Sequence, residues 1–410
     1  MSNILVVSLD FDGCLFNSKY FEKIKDVSNS QFKDNVQYEA ISDTNKDFLE
    51  MLRNKSNGYR NFYTLIGSNR QSIYLDYYNS INQLTSGSCF RVIQSISDYI
   101  GATFDPMLLA DLANHQAIGR NISIAQVFFE KDRPVYQNSP RINLEIHPAK
   151  IDEYKILLIY AQVHRMASMH PDDTITFEFY DDRDKDILKN LHEFYKKYSH
   201  LIPTNVTLNL NQYDGEKESS LKYSLTGTGA IDTDYAETYR NMAENSKETS
   251  QSGYDRYHPQ RLLSGLNQLS FVEDCIKTFE EKLDVKLKEN TSSCNFLMHD
   301  LRRRLEQEVN RYIQLPNKDK MNLSTAERFQ KNCVSHIQKI EKQLDTQNSW
   351  KPFLKNMALM LFVISAPCAV YSLGTRAFQG HYAFFHKPTS DATLLEIKQN
   401  IAKPIANQTV

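Results

Sequence analysis

The sequence predicts an α/β protein whose parallel sheet is flanked by helices and followed by a helical bundle and a hydrophobic C-terminal segment. Three observations predict this architecture. An unbroken apolar run, Ile4–Val7, leads into two carboxylates and a glycine, as expected of a strand buried on both faces of a parallel sheet. A second strand pattern, Thr174–Tyr180, also runs into paired aspartates. Beyond residue 260 the apolar residues recur at helical spacing.

Composition excludes several classes of protein. The 410 residues include 48 basic and 50 acidic side chains, a formal charge of −2, which argues against a protein built mainly to grip nucleic acid. Six cysteines without a C-x-x-C pair argue against a disulfide scaffold or a zinc site and favour a reducing compartment. The opening strand leaves no room for a cleavable export signal, so we expect a cytosolic site of action.

The first strand carries the strongest functional signal. Asp10 and Asp12 follow it, and in an extended chain both carboxylates point to the same side. In open α/β sheets, ligands bind just beyond the carboxyl ends of the strands, which is where these residues fall. Two like charges this close require a cation, alone or with a phosphate, and Gly13 allows the chain to turn sharply beside a bulky anion.

This stretch, Asp10-Phe11-Asp12-Gly13, resembles motif one of the haloacid dehalogenase (HAD) superfamily. The resemblance covers about residues 1–230 and implies a HAD-like Rossmannoid sheet with phosphatase activity. It implies that Asp10 is the nucleophile and that Asp12 is the general acid and base. Cys14 stands where the family often has Thr or Val, which is a mild departure.

The next strand pattern, 59–66, ends in Gly67-Ser68-Asn69-Arg70. The resemblance implies that Ser68 is motif two and hydrogen-bonds the transferred phosphoryl group. We expect Gly13, Asn69 and Arg70 to contact the substrate, since backbone N–H groups at the start of a following helix suit an anion. The family inserts substrate-covering caps after motif two, and residues 72–148 are long for a simple crossover at that point, so they are the candidate for such an insertion.

A third motif, a lysine near the start of a helix, is expected before the fourth. Lys150 fits this position, because it directly precedes a predicted helix over 151–170. Lys155 lies one turn further into that helix, and Lys131 is a weaker third choice. The resemblance implies that this lysine neutralises charge on an aspartyl-phosphate intermediate.

The resemblance makes Asp181 and Asp182 motif four, the remaining carboxylates of a magnesium site. We expect Mg²⁺ to be held by Asp10, the backbone carbonyl of Asp12, and Asp181 with Asp182, because this hard ion favours oxygen ligands. Asp186, a helical turn further on, is a candidate partner outside the direct ligands.

A narrower likeness concerns effector phosphatases of the HAD superfamily that Dot/Icm type IV secretion injects into host cells. It rests on the opening motif, on Tyr180-Asp181-Asp182-Arg183, and on the tail Gly380–His386. The likeness implies a phosphotyrosine phosphatase acting on host phosphoproteins in the host cytosol at a membrane. Two alternatives stay open: a nucleotidase or polynucleotide 3′-phosphatase, and a non-catalytic, membrane-tethered interaction module.

The domain prediction divides the chain into four parts: a phosphatase domain over 1–231, a polar linker over 232–260, a helical bundle or antiparallel coiled coil over 261–350, and a hydrophobic segment with a tail over 351–410. The bundle could bind a protein partner. Asn356–Thr375 carry no charge and lie at the length threshold for crossing a bilayer, so we expect membrane association; the competing interpretation is a buried helix of the bundle.

Overall fold

The computed structural model describes residues 3–24, 34–73, 75–76, 88–123, 155–216, 219–245, 262–288, 295–344 and 350–363. These residues belong to two compact units. Unit 1 comprises Met1–Leu263 with Pro316–Asn322, and unit 2 comprises Ser264–Leu315 with Leu323–Val410. Each unit has its own apolar core.

Unit 1 is built on a sheet whose described strands are β1 (Asn3–Leu9), β2 (Asn61–Ile66), β3 (Thr103–Phe104), β4 (Thr174–Asp181), β5 (Val206–Gln212) and β6 (Ser220–Thr226). The strand order is β3-β2-β1-β4-β5-β6. All neighbouring strands are parallel except the pair β5 and β6, which is antiparallel. The predicted α/β class with a mostly parallel sheet is confirmed.

The described helices of unit 1 flank this sheet or pack near it. They are α1 (Ser18–Ile24), α2 (Asp34–Thr44), α3 (Lys46–Ser56), α4 (Cys89–Ile100), α5 (Leu109–Ala113), α6 (Ile156–Met169), a π-helix (Asp184–Leu188), α7 (Lys189–Lys197), a 3₁₀-helix (Ser199–Leu201), α8 (Tyr235–Asn245) and α11 (Asn317–Lys320). Strand β1 is central, and its residues Ile4–Leu9 are all fully buried. Full burial explains why its sequence is apolar without alternation.

The order of the strands determines where a site can form. From β1 the chain proceeds outward through β2 to β3, and β4 then pairs with the opposite side of β1. The crevice between the loops that follow β1 and β4 is therefore a topological switch point, where open α/β sheets bind ligands. Asp10 comes directly after β1, and Asp181 is the last residue of β4.

The polar stretch after β6 is not simply a linker. Residues 235–245 form helix α8, which packs against α6, so the linker prediction for 232–260 is wrong at these residues; 246–260 lie outside the described part. Buried Asp232 accepts hydrogen bonds from Tyr160 (2.7 Å) and Thr238, and its N–H donates to His164 Nδ1 (3.0 Å). These buried hydrogen bonds help to hold α8 in place. Its sequence therefore lacks the stripe of aliphatic residues by which a packed helix is usually recognised.

Unit 2 consists of helices around a common core. Its described helices are α9 (Ser264–Lys288), α10 (Asn295–Ile313), α12 (Leu323–Gln343) and α13 (Lys351–Val363). Phe279 is fully buried at the centre of that core, with Trp350 and Phe353 beside it. The predicted stripes of apolar residues are the faces that these helices turn toward one another.

Helix α13 occupies part of the segment for which membrane association was expected. It packs against α12, and its residues Leu354, Met357, Ala358 and Leu361 are buried in the core of unit 2. For residues 351–363 the competing interpretation, a helix of the bundle, is the one found. Among the described residues, no helix has the length and apolarity that crossing a membrane requires. The remainder of the hydrophobic segment, from 364, lies outside the described residues.

Candidate active site at the carboxyl edge of the sheet

Three carboxylates meet where β1 and β4 end. The register pairs Leu9 with Tyr180, and the Asp10 N–H continues the ladder by donating to the Tyr180 carbonyl at 3.0 Å. This register brings Asp10 level with Asp181. Oxygens of Asp10, Asp181 and Asp182 lie within 4.8 Å of one another, which places these predicted ligands together.

Lys155 lies between two of these carboxylates. Its Nζ is 2.8 Å from Asp10 Oδ1 and 2.6 Å from Asp181 Oδ2, and only 1% of the side chain is exposed. The residue precedes α6 with a left-handed backbone (φ +57°), which is unusual for a residue with a side chain. Of the three lysines considered from sequence, Lys131 and Lys150 lie outside the described residues, and Lys155 is in the cluster.

Burial and mutual repulsion shape the electrostatics of the cluster. Burial raises the pKa of Asp10 to about 7; the Lys155 ammonium opposes this rise and the Asp181 charge adds to it. Burial and the adjacent Asp181 likewise raise the pKa of Asp182. For Lys155, burial acts to lower the pKa, but the carboxylates of Asp10 and Asp181 together raise it above its ordinary value. Lys155 is therefore a fixed positive charge in the site.

The donor set fits a hard divalent cation. Three carboxylates and one ammonium leave a net charge of −2 when all are ionised, which a divalent ion would neutralise. Oδ1 of Asp182 is buried and has no hydrogen-bond partner among the described residues. Such an oxygen is costly unless a ligand satisfies it. Asp186, by contrast, is exposed in the π-helix and is not part of the cluster.

Gly13 is required where Asp182 packs against the loop after β1. Its φ of +86° favours glycine, and a Cβ at this position would lie 2.4 Å from Asp182 Oδ2. The loop is closed by hydrogen bonds from the Gly13 N–H to the Phe16 carbonyl (2.9 Å) and from the Phe16 N–H to the Phe11 carbonyl (2.8 Å). Gly13 therefore lies beside the carboxylate cluster, and its expected contact with substrate stays a prediction.

The loop after β2 lies against the end of β1. The Gly67 N–H donates to the Leu9 carbonyl at 2.7 Å, and a Cβ on Gly67 would come within 2.9 Å of that backbone. Ser68 follows and is 2% exposed; its Oγ accepts a hydrogen bond from the Arg70 N–H at 3.4 Å. Asn69 is partly exposed at the tip of the loop. Ser68 therefore lies beyond the strand next to Asp10's, as expected, in a turn closed by its own hydroxyl.

Arg70 is buried and contacts two carboxylates of the chain. Its side chain is 2% exposed, and it forms a two-pronged contact with Asp12, from Nε to Oδ2 (2.9 Å) and from Nη2 to Oδ1 (2.5 Å). A third contact joins Nη1 to buried Asp76 at 3.3 Å. The Arg70 guanidinium group is therefore engaged with two carboxylates of the chain, and its expected contact with substrate stays a prediction. The Asp12 carboxylate, for its part, is held by Arg70 and is not one of the three clustered carboxylates.

An open cleft of about 660 Å³ adjoins Asp12 and Gly13. Most of the other residues that line this cleft are acidic or aromatic; they are Phe16, Asn17, Ser18, Phe21, Glu22, Asp214 and Glu216. Phe21 exposes 49% of its surface. A cleft with these walls favours an aromatic or positively charged group over a polyanion.

Sequence reasoning missed two residues that organise the site. Asp76 anchors Arg70, and Ser88 holds Asp76 through a hydrogen bond of 2.6 Å. Asp76 lies in a stretch that reads only as part of a helical patch, so no local pattern marks it. The motifs likewise give no sign that Arg70, two residues after Ser68, is buried against Asp12.

Comparisons with known protein families, with curated proteins and with solved structures found no match to this chain. The class of protein is therefore defined by its fold and site: an α/β protein with a carboxylate and lysine cluster at the switch point of a mostly parallel sheet. What the protein does with that cluster is argued from the chemistry of its residues.

Proposed function

We propose that this chain is a Mg²⁺-dependent phosphatase of the HAD type that acts through an aspartyl-phosphate intermediate. The observation that carries the proposal is the meeting of Asp10, Asp181, Asp182 and Lys155 at the carboxyl edge of the sheet. Burying three clustered carboxylates and one lysine costs free energy, so we take the cluster to serve a ligand or a reaction. The resemblance of the sequence motifs to the HAD superfamily supports the same reading.

In the first half-reaction, an Asp10 oxygen attacks phosphorus and the bond to the leaving oxygen breaks, so the phosphoryl group moves to Asp10. Asp12 supplies the proton that the leaving oxygen takes up. In the second half-reaction, water attacks the phosphorus of the aspartyl phosphate and gives its proton to Asp12. Phosphate leaves, and both carboxylates return to their starting states.

The surrounding residues prepare Asp10 for this role. Lys155 offsets the negative charge of Asp10 and is close enough to offset charge on a phosphoryl group that Asp10 carries. Ser68, beyond the neighbouring strand, is proposed to donate a hydrogen bond to a phosphoryl oxygen. Asp10, Asp181 and Asp182 would hold Mg²⁺, with the Asp12 carbonyl as the further ligand that the resemblance implies; when bound, the ion shields the nucleophile from the charge of the phosphate.

The proposed substrate is phosphotyrosine in a host protein. The resemblance to Dot/Icm effector phosphatases suggests it, together with secretion into host cytoplasm and action at a membrane. The cleft beside Asp12 supports an aromatic phosphoester, since Phe16 and Phe21 could contact a ring. The carboxylates of Glu22 and Glu216 in the same cleft disfavour a polynucleotide, whose backbone requires cationic surface. A nucleotidase remains the enzymatic alternative, and a non-catalytic interaction module the other.

The experiment that tests the reaction is turnover of p-nitrophenyl phosphate by the full chain, in Mg²⁺ and in EDTA. Asp10→Asn should abolish turnover, and EDTA should reduce it to the same background. Asp186→Asn is the matched control, because this nearby aspartate is exposed and outside the cluster. Turnover that is indifferent to EDTA and to Asp10→Asn would refute the mechanism, and a folded chain without turnover would favour the interaction module.

Substrate and membrane contact need separate tests. A panel of phosphotyrosine peptides, phosphoserine peptides and nucleotides should show the highest kcat/KM for phosphotyrosine; a preference for nucleotides would select the alternative. Flotation with liposomes should compare the full chain with one ending at 363, because 351–363 belong to the core of unit 2. Equal flotation of both would remove the proposal that residues 364–410 bind a membrane.

A further inference from the structure

Three charged side chains, those of Asp12, Arg70 and Asp76, contact one another in series from the surface of the site into the core. The Asp12 carboxylate is 45% exposed, Arg70 is 2% exposed, and Asp76 is fully buried. Asp76 is itself fixed, because one oxygen accepts a hydrogen bond from Ser88 Oγ (2.6 Å) and the other from the Cys89 N–H (2.8 Å). Asp76, the buried member of this series, is therefore held rigidly, and Asp12, the exposed member, is the carboxylate beside the nucleophile.

The planar guanidinium group of Arg70 forms a bidentate contact with both oxygens of Asp12. Two parallel contacts of this kind fix the plane and the direction of a carboxylate, which a single contact does not do. Arg70 is held in turn by Asp76 and by the ring of Phe11, whose centroid lies 4.8 Å from its Cζ. Phe11 separates Asp10 from Asp12 in the sequence, so the same short segment carries the nucleophile, the packing surface and the oriented carboxylate.

We infer that Arg70 is a positioning residue that orients the Asp12 carboxylate for activation of water, rather than a ligand of the phosphate. The inference rests on the proposed function, because it assigns Arg70 to one of its two half-reactions. The two contacts fix where the Asp12 oxygens lie, and hydrolysis of the aspartyl phosphate needs one of these oxygens in position to take the proton from the attacking water. Breakdown of the aspartyl phosphate is therefore the step that depends most on Arg70.

Arg70→Lys separates orientation from charge. Lysine keeps a positive charge beside Asp76 but cannot form the two-pronged contact with Asp12. Misplacing a reacting group by about 1 Å can cost about 100-fold in rate, so we expect hydrolysis of the phosphoenzyme to slow about 10- to 100-fold. Formation of the phosphoenzyme from p-nitrophenyl phosphate should slow far less, because p-nitrophenolate leaves without needing a proton.

The test is rapid-quench kinetics of the full chain with p-nitrophenyl phosphate and Mg²⁺, measuring the burst of nitrophenol and the fraction of phosphoenzyme. Arg70→Lys should raise the phosphoenzyme fraction at least several-fold over the wild type, as should Asp12→Asn. The double variant should match Asp12→Asn alone, since Arg70 acts through Asp12. Arg165→Lys is the matched control: Arg165 Nε contacts both oxygens of buried Asp105, at 3.0 and 2.9 Å, outside the site, and this variant should behave as the wild type.

Other outcomes would overturn the inference. Proportional loss of the burst and of steady turnover in Arg70→Lys would assign Arg70 a merely structural role. A raised KM with unchanged phosphoenzyme fraction would make it a phosphate ligand. Asp76→Asn, which releases Arg70 from its buried anchor, should also raise the phosphoenzyme fraction, and it decides the matter if Arg70→Lys does not fold. Absence of Mg²⁺-dependent turnover in the wild type would instead overturn the proposed function, and this inference with it.

Discussion

Removing the amine of Lys155 is the most informative single perturbation of the cluster. Lys155→Met keeps the length and apolar stem of the side chain but leaves Asp10 and Asp181 facing each other without a counter-charge. Both carboxylates are almost fully buried, so water cannot replace the ammonium group at little cost. We expect a strongly destabilised chain in EDTA.

The magnitude follows from the geometry. At an effective dielectric constant of about 20, an ion pair separated by about 2.7 Å gains about 6 kcal/mol of Coulomb energy, most of which offsets the cost of burying the charges. Removing one partner of a buried pair costs about 3–5 kcal/mol. The variant also removes the positive charge that competes with a cation for Asp10 and Asp181, so Mg²⁺ should stabilise it more than it stabilises the wild type.

Urea unfolding in EDTA and in Mg²⁺ measures both effects. Lys55→Met is the control, since Lys55 pairs with buried Glu178 at 2.8 Å away from the cluster. Glu178 keeps hydrogen bonds from Asn209 and Asn211, so this loss should be smaller and independent of Mg²⁺. A loss below about 1 kcal/mol in Lys155→Met, with no added effect of Mg²⁺, would refute the electrostatic account of the cluster.

Three further predictions concern other parts of the chain. Gly13→Ala should abolish turnover and cost more stability than Gly101→Ala, which has a similar positive φ (+76°) but no atom within 4 Å of the added Cβ and should cost about 1–2 kcal/mol by urea unfolding. Burial lowers the pKa of His164 from 6.5 to about 4. The neutral, buried imidazole therefore contributes fully to the free energy of unfolding above pH 6.5, and this contribution is lost as the pH falls toward 4. Between pH 6.5 and 5 the wild type should lose about 2 kcal/mol more than His164→Gln; equal losses would contradict this. Leu354→Asp should destabilise unit 2 by about 3 kcal/mol or more, because the charge is buried, whereas Leu359→Asp, on the same helix but 41% exposed, should be tolerated in thermal unfolding.

The central strands and their carboxylates could be predicted from sequence because their signals are local. A strand buried on both faces is a continuous apolar run, and the residues at its end are fixed within one or two positions. The meeting of Asp10 and Asp181 could be predicted from this pattern together with the rule that the carboxyl ends of parallel strands lie at one edge of the sheet. Two similar patterns separated in the chain therefore predicted one site.

The lysine could not be chosen by the same reasoning. Lys150 and Lys155 both lie near the start of a predicted helix, and the position of Lys155 depends on a left-handed backbone at a residue with no glycine signal. The Asp12 contact with Arg70 depends on a loop packed against a neighbouring strand, which no periodicity encodes. Helix α8 was missed because part of what holds it is polar: Thr238 of α8 and Tyr160 of α6 both donate hydrogen bonds to Asp232, which precedes α8.

The central claim is that Asp10 carries the phosphoryl group during turnover. The most direct measurement is to quench the full chain during turnover of p-nitrophenyl phosphate with Mg²⁺, reduce the acyl phosphate with borohydride, and locate the product by peptide mass spectrometry. We predict conversion of Asp10 to homoserine, with Asp12, Asp181 and Asp182 unchanged. An active enzyme in which Asp10 is never modified, or in which another aspartate is, would contradict the account.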